Sequence, residues 1–228
     1  MIRGLRRRPA PTVRHNRIVW QAAALLLAYP DEGHTERLDL VERTLGELPT
    51  TLADPLARAV AGLRALPTDA AATAYVETFD LRRRRALFLT YWTDGDTRNR
   101  GNAMLAFAEA YRLSGVEPPT DELPDHLAVV LEFAATVDDK AGLALLTRHR
   151  APIELLRLAL AEYDSPYAGV IEAVVATVPE GSSGQTRREA LDLARQGPPV
   201  EQVGLEPYAV TIPTEQLTAS LRGGRSGR

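Results

Sequence analysis

Apolar residues recur at three- and four-residue spacing along most of this chain, whereas alternating apolar and polar runs rich in β-branched residues are hard to find. The pattern predicts an all-α protein. A first helix over 14–29 carries Ile18, Ala22, Leu25 and Tyr29 as a stripe and stops at Pro30. A second, 33–47, places Leu38, Val41 and Leu45 on one face and ends before Pro49. A third runs from Leu52 to Leu66 with Pro55 in its first turn, where a missing N–H costs little. A fourth runs from a Thr68 cap to Phe79, with Tyr75 and Phe79 stacked at i, i+4. Residues 81–92, LRRRRALFLTYW, are the one stretch where a short extended piece fits.

Asp96 or Thr97 then caps a fifth helix reaching Ser114 and closed by Gly115, with Met104, Phe107 and Tyr111 along it. After the loop VEPPTDELPDH a sixth helix, 124–137, buries Leu127, Val130, Leu131 and Ala134. Residues 139–163 read as one or two helices, because Pro152 must break or restart the pattern. A helix over 167–178 faces inward with Ile171, Val174, Val175 and Val178, and a short polar helix near 186–196 follows a Gly/Ser break.

These elements make one globular helical domain of about eight to ten helices over 14–196, in line with the size expected of a single core. Residues 1–13 form a basic extension expected to be flexible, and residues 197–228, rich in Gly, Pro, Ser and Thr, a tail expected to be disordered. Lys and Arg number 27 against 30 Asp and Glu, a formal charge of −3, which argues against nucleic acid or anionic lipid as a partner for the whole protein. Arg6-Arg7-Arg8 followed by IVWQAAALLLAY resembles an export signal only superficially. The apolar run is shorter than the roughly 20 residues a bilayer needs and lacks a small-residue cleavage site. A core helix and a cytoplasmic location without stable membrane insertion are the expectation.

Candidate chemistry is sparse. The absence of cysteine excludes disulfides, thiolate metal sites and cysteine nucleophiles. His15, His34, His126 and His149 show no metal-ligand spacing, and no phosphate loop or nucleophile elbow is present. No metal, no cofactor and no catalytic residue are expected. Asp125-His126 with Glu122 is the best polar cluster; a helical metal-dependent hydrolase built on these three is the competing enzyme reading. Arg82 to Arg85 is the one dense internal charge run, either a solvated or salt-bridged corner after a helix, where Asp80 is available to pair with an arginine, or a docking patch.

Three blocks, LLLAYP at 25–30, YVETFDLRRRRALFLTYWTDGDTRNRGNAM at 75–104 and ELPDHLAVVLEFA at 122–134, resemble the NarJ-type assembly chaperones of respiratory nitrate reductase. These sit within the broader group of chaperones for molybdenum oxidoreductases, and the matching stretch covers about residues 18–178. The resemblance implies an all-helical, non-catalytic cytoplasmic protein. It also implies a partner, the catalytic α subunit of nitrate reductase, bound through its N-terminal segment until its molybdenum cofactor and iron–sulfur cluster are in place. A different twin-arginine-exported molybdenum enzyme is the alternative client. By position, Tyr75 and Phe79, together with Glu122, Leu123, Pro124, Asp125 and His126, resemble the family's characteristic motifs and mark the expected client-binding groove; Arg85, Arg98, Gly101 and Met104 lie in the same stretch. The competing reading for Tyr75, Phe79, Met104 and Phe107 is that they are core.

Overall fold

The computed structural model describes residues 12–95, 97–179 and 185–199. Among them the chain is all-helical, and its one extended pairing is an isolated antiparallel bridge between Phe88 and His126. Eleven α-helices follow in order: α1 Val13–Leu26, α2 His34–Thr44, α3 Thr50–Arg64, α4 Thr68–Tyr75, α5 Tyr91–Asp94, α6 Arg98–Leu113, α7 Leu127–Thr136, α8 Asp139–Arg148, α9 Arg150–Glu162, α10 Ala168–Thr177 and α11 Gln185–Gln196. The one that periodicity did not anticipate is the four-residue α5, too short to show a period. The expectations for residues 1–11 and 200–228 lie outside the described residues.

Each boundary has a local cause. Thr12 starts α1 with a capping box, its hydroxyl accepting from the His15 amide while the His15 ring accepts from its own. Asp138 opens α8 by accepting from the Lys140 and Ala141 amides. α8 and α9 are separate helices broken at His149, and Pro152 sits in the first turn of α9, where it has no helical bond to lose. Pro55 differs from expectation: α3 begins at Thr50, so Pro55 lies past the first turn. The fourth segment also departs from a plain helix. Pro67 holds the cap position, α4 ends at Tyr75, and Val76–Asp80 widens into a π turn. Such turns occur often at functional sites.

The apolar faces close on one core. α1 packs along α7, α10 against α3 and α9, and α7 against α8. Trp20, Leu26, Leu52, Leu56, Leu63, Leu131, Leu146 and Tyr167 are almost completely out of water. The Trp20 indole N–H donates to Thr177 Oγ1 at 2.8 Å and ties α1 to α10. Two glycines set the tightest approaches. A Cβ at Gly169 would lie 2.2 Å from the Pro55 carbonyl oxygen, and one at Gly142 would lie 2.3 Å from the Ala134 Cβ. A smaller cluster of Tyr91, Trp92, Leu155 and Ala190 lies apart from this core and seats α11 on α9.

Candidate functional site

The residues of the ELPDH block are organised by a lock between two loops. Leu89 N–H donates to the Asp125 carbonyl at 3.1 Å and Leu127 N–H to the Leu87 carbonyl at 2.8 Å, flanking the Phe88–His126 bridge. The Asp125 carboxylate, completely buried, accepts from the Thr90 amide at 3.1 Å and the Thr90 hydroxyl at 2.6 Å. Arg100 supplies positive charge, with Nη2 4.0 Å from Asp125 Oδ2 and Nε donating to Thr90 Oγ1 at 3.3 Å. Its guanidinium lies 5.3 Å from the Phe88 ring and 5.8 Å from the Tyr91 ring. Tyr111 O–H donates to the Pro124 carbonyl at 2.6 Å from the α6 side. A buried carboxylate is tolerated only with such partners, and the sequence provides them 35 and 25 positions away.

This lock presents His126 to a groove between the C-terminal half of α1 and the start of α7. The cavity, of about 300 Å³, is lined by Gln21, Ala24, Leu25, Leu27, Ala28 and Tyr29 on one side and by Tyr75, Glu122, His126, Ala128, Val129 and Glu132 on the other. Ala24, Ala28 and Ala128 make the space: side chains that stop at Cβ leave room between facing helices. Tyr29, half exposed, stands edge-on to Tyr75 with centroids 5.4 Å apart. Tyr75 in turn meets Phe79 at 4.9 Å, and Phe79 meets Tyr167 at 4.8 Å, so the groove wall continues into the core as an aromatic stack. Tyr75 donates its hydroxyl proton to the Leu27 carbonyl at 3.1 Å, and burial pushes its pKa well above the usual phenol value.

The electrostatics of the groove are one-sided. Glu122 and Glu132 are exposed at the rim, and two buried atoms, Gln21 Oε1 and His126 Nδ1, have no hydrogen-bond partner among the described residues. Burial lowers the pKa of His126 against the opposing pull of Glu122, Asp125 and Asp80, so the imidazole is neutral at pH 7. An apolar floor with acceptors and carboxylates around it suits a cationic amphipathic segment.

The structure brings Tyr75, Glu122 and His126 together in this groove, with Phe79 behind Tyr75 and Asp125 behind His126. Leu123 is 40% exposed and Pro124 half-buried beside them. Arg98, exposed at the start of α6, and Met104, half-buried farther along it, are not among the groove's lining residues. Arg85 lines a different cavity. Sequence reading passed over Gln21, Ala24, Ala28, Tyr29, Ala128, Val129 and Glu132; the spacing of Gln21, Ala24, Leu25 and Ala28 on one helical face was the available signal. Among the described residues, no group of three or more His, Asp or Glu side chains is placed to hold a metal ion. Among the described side chains Asp80 forms no ion pair with Arg82, Arg84 or Arg85, and Arg82 and Arg84 are exposed, as in a solvated corner. No described helix is long and apolar enough to cross a membrane.

The nitrate reductase-like protein NarX of Mycobacterium tuberculosis is 52% identical over 160 residues, covering 70% of this chain and 24% of NarX, so this chain spans about a quarter of that relative's length. The nitrate reductase molybdenum cofactor assembly chaperone NarJ of Escherichia coli is 30% identical over 154 residues, 66% of this chain and 65% of NarJ. A Bacillus subtilis NarJ assigned the same role is 28% identical over 162 residues, 71% of this chain and 88% of that protein. A crystal structure of a proposed redox enzyme maturation protein from Archaeoglobus fulgidus shares the fold, with a TM-score of 0.52 and 21% identity over 76% of this chain and 97% of that one. Residues 45–172, from just after α2 to the middle of α10, match the family described as nitrate reductase delta subunit, and the chain belongs to that family.

Proposed function

We propose that this protein is a non-catalytic maturation chaperone of the cytoplasm. It binds the catalytic α subunit of respiratory nitrate reductase through that subunit's N-terminal segment. In doing so it holds the subunit competent for insertion of the molybdenum cofactor and iron–sulfur cluster and for assembly of the complex. The observation that carries this reading is the α1–α7 groove, where an apolar floor and aromatic wall meet an acidic rim at the motif residues Tyr75, Glu122 and His126. Family membership supports the chaperone role.

The physical logic is that of a helix in a groove. A client segment folding as an amphipathic helix places apolar side chains over Ala24, Ala28 and Ala128 and its Lys or Arg residues beside Glu122 and Glu132. Its donors reach Gln21 Oε1 and His126 Nδ1. The groove is small and its charges sit at the rim, so affinity is moderate and the client can leave. Calorimetry of the full chain with a synthetic peptide from the N terminus of the α subunit should give a dissociation constant near 1 μM, about −8 kcal/mol. Glu122→Lys with Glu132→Lys should weaken it at least tenfold, about 1.4 kcal/mol. No heat and no competition up to about 100 μM peptide would overturn the proposal.

A further inference from the structure

Buried Arg150 and part-buried Arg157 are held by protein acceptors, and buried Arg85 is held differently. Arg150 donates to the backbone carbonyls of Val178 and Pro179, and Arg157 forms a bidentate pair with Glu154 at 2.8 Å for both bonds. Arg85 is as buried as Arg150, at 6% exposure, yet its Nη2 reaches only the Glu77 carbonyl, at 3.5 Å. Its Nη1 has no partner among the described residues, and no carboxylate there lies within ion-pair distance of it. The guanidinium stacks on the Tyr163 ring, 3.9 Å from its centroid. A stacked, desolvated guanidinium with an unmet donor is an incomplete anion site, since a buried cation is held against its desolvation cost by an anion or by several acceptors.

Its surroundings have the chemistry to complete it. Arg85 lines a cavity of about 620 Å³, a volume typical of small-molecule sites, between the 81–85 segment and the C-terminal end of α9. Arg82 and Arg84, both exposed, line the same cavity, and Glu162 is the single carboxylate lining it among the described residues. Three guanidinium groups on one cavity outnumber what a monovalent carboxylate would neutralise. They match a phosphoryl dianion, which accepts the planar fork bidentately. Leu81 and Tyr163, 68% and 56% exposed, offer an apolar wall and a ring edge for an organic body attached to that phosphate.

We propose that this cavity is a binding site for a phosphate-bearing small molecule with a planar organic body, the phosphate held by Arg82, Arg84 and Arg85 and the body against Leu81 and Tyr163. Among the described residues the site shares no lining residue with the α1–α7 groove, and it stands whether or not that groove binds a client.

Calorimetric titration of the full chain at low salt, with inorganic pyrophosphate and separately with ADP, tests it. Both probes should bind at one site per chain with dissociation constants below about 1 mM, ADP at least threefold more tightly than pyrophosphate. Arg82→Glu with Arg84→Glu, both exposed and without ion-pair partners among the described residues, should weaken both probes at least tenfold while the thermal midpoint holds. Leu81→Ala should weaken ADP and leave pyrophosphate unchanged, since Leu81 touches only the organic body. If Arg85→Ala fails to fold, the exposed pair still decides the question. Absence of saturable heat to about 5 mM of either probe overturns the site. So does affinity unchanged in the Arg82/Arg84 variant, or binding of a polyglutamate peptide where pyrophosphate does not bind.

Discussion

Replacing Asp125 is the sharpest test of how the motif works, because its carboxylate is completely buried and faces inward to Thr90 instead of outward to a partner. In Asp125→Ala the Thr90 amide and hydroxyl lose their acceptor, and Arg100 loses the carboxylate 4.0 Å from its Nη2. Hydrogen bonds to a charged group contribute about 1.5–3 kcal/mol each, and breaking a buried pair costs about 3–5 kcal/mol. The Arg100 contact is long, at 4.0 Å, so the lower end applies: about 3 kcal/mol in all. In a domain of this size each kcal/mol moves the thermal midpoint by about 2–4 °C, so the midpoint should fall by about 6–12 °C. Asp125→Asn, which keeps one acceptor oxygen, should lose about half as much. A double-mutant cycle with Thr90→Val should give a coupling of about 1–2 kcal/mol. Differential scanning calorimetry reads the midpoints, and amide exchange at Leu89 and Leu127, which clasp the bridge, should accelerate in the Ala variant. A midpoint within about 1 °C of the parent, with exchange unchanged, would refute the lock and leave Asp125 with a role in binding alone.

Three further outcomes follow from the packing and the titrating groups. Gly169→Ala should lower stability by about 1–3 kcal/mol in urea unfolding, because its new methyl falls 2.2 Å from the Pro55 carbonyl; an unchanged midpoint would show that α3 and α10 can part without cost. His34, His126 and His149 all have pKa values held below the ordinary 6.5, chiefly by burial, so the unfolded chain takes up their protons first. Their stabilisation is complete above pH 6.5 and is lost as pH falls below it, so the thermal midpoint should drop between pH 7.5 and 5 and His149→Gln should flatten that slope. Ala190→Glu should lift α11 from Trp92 and red-shift tryptophan emission while the rest of the helical circular dichroism persists, since the small cluster lies apart from the main core. Loss of all cooperative unfolding instead would mean the two cores fold as one.

Periodicity alone identified the helices, because each long element buries one face and the i, i+3, i+4 spacing records that face directly. Pro152 marked a break or restart within 139–163 without deciding between one helix and two, and the break falls at His149; the extended piece expected within 81–92 is the single bridge at Phe88. The π turn after Tyr75 was not readable, since residues 76–80 keep a helical composition and only packing against Tyr167 and Arg85 shows the widened turn. The motif residues were visible as letters, while their division of labour was not. Asp125 and His126 are neighbours in sequence, yet one is sealed behind the loop lock and the other lines the groove, because the Phe88–His126 bridge turns alternate residues to opposite sides. The groove itself depends on Ala24 of α1 and Ala28 just beyond its end meeting Ala128 of α7 across about a hundred residues of chain. Local sequence determined which segments coil and which faces are apolar; only the tertiary structure decided which small residues face each other, and hence where a cavity opens.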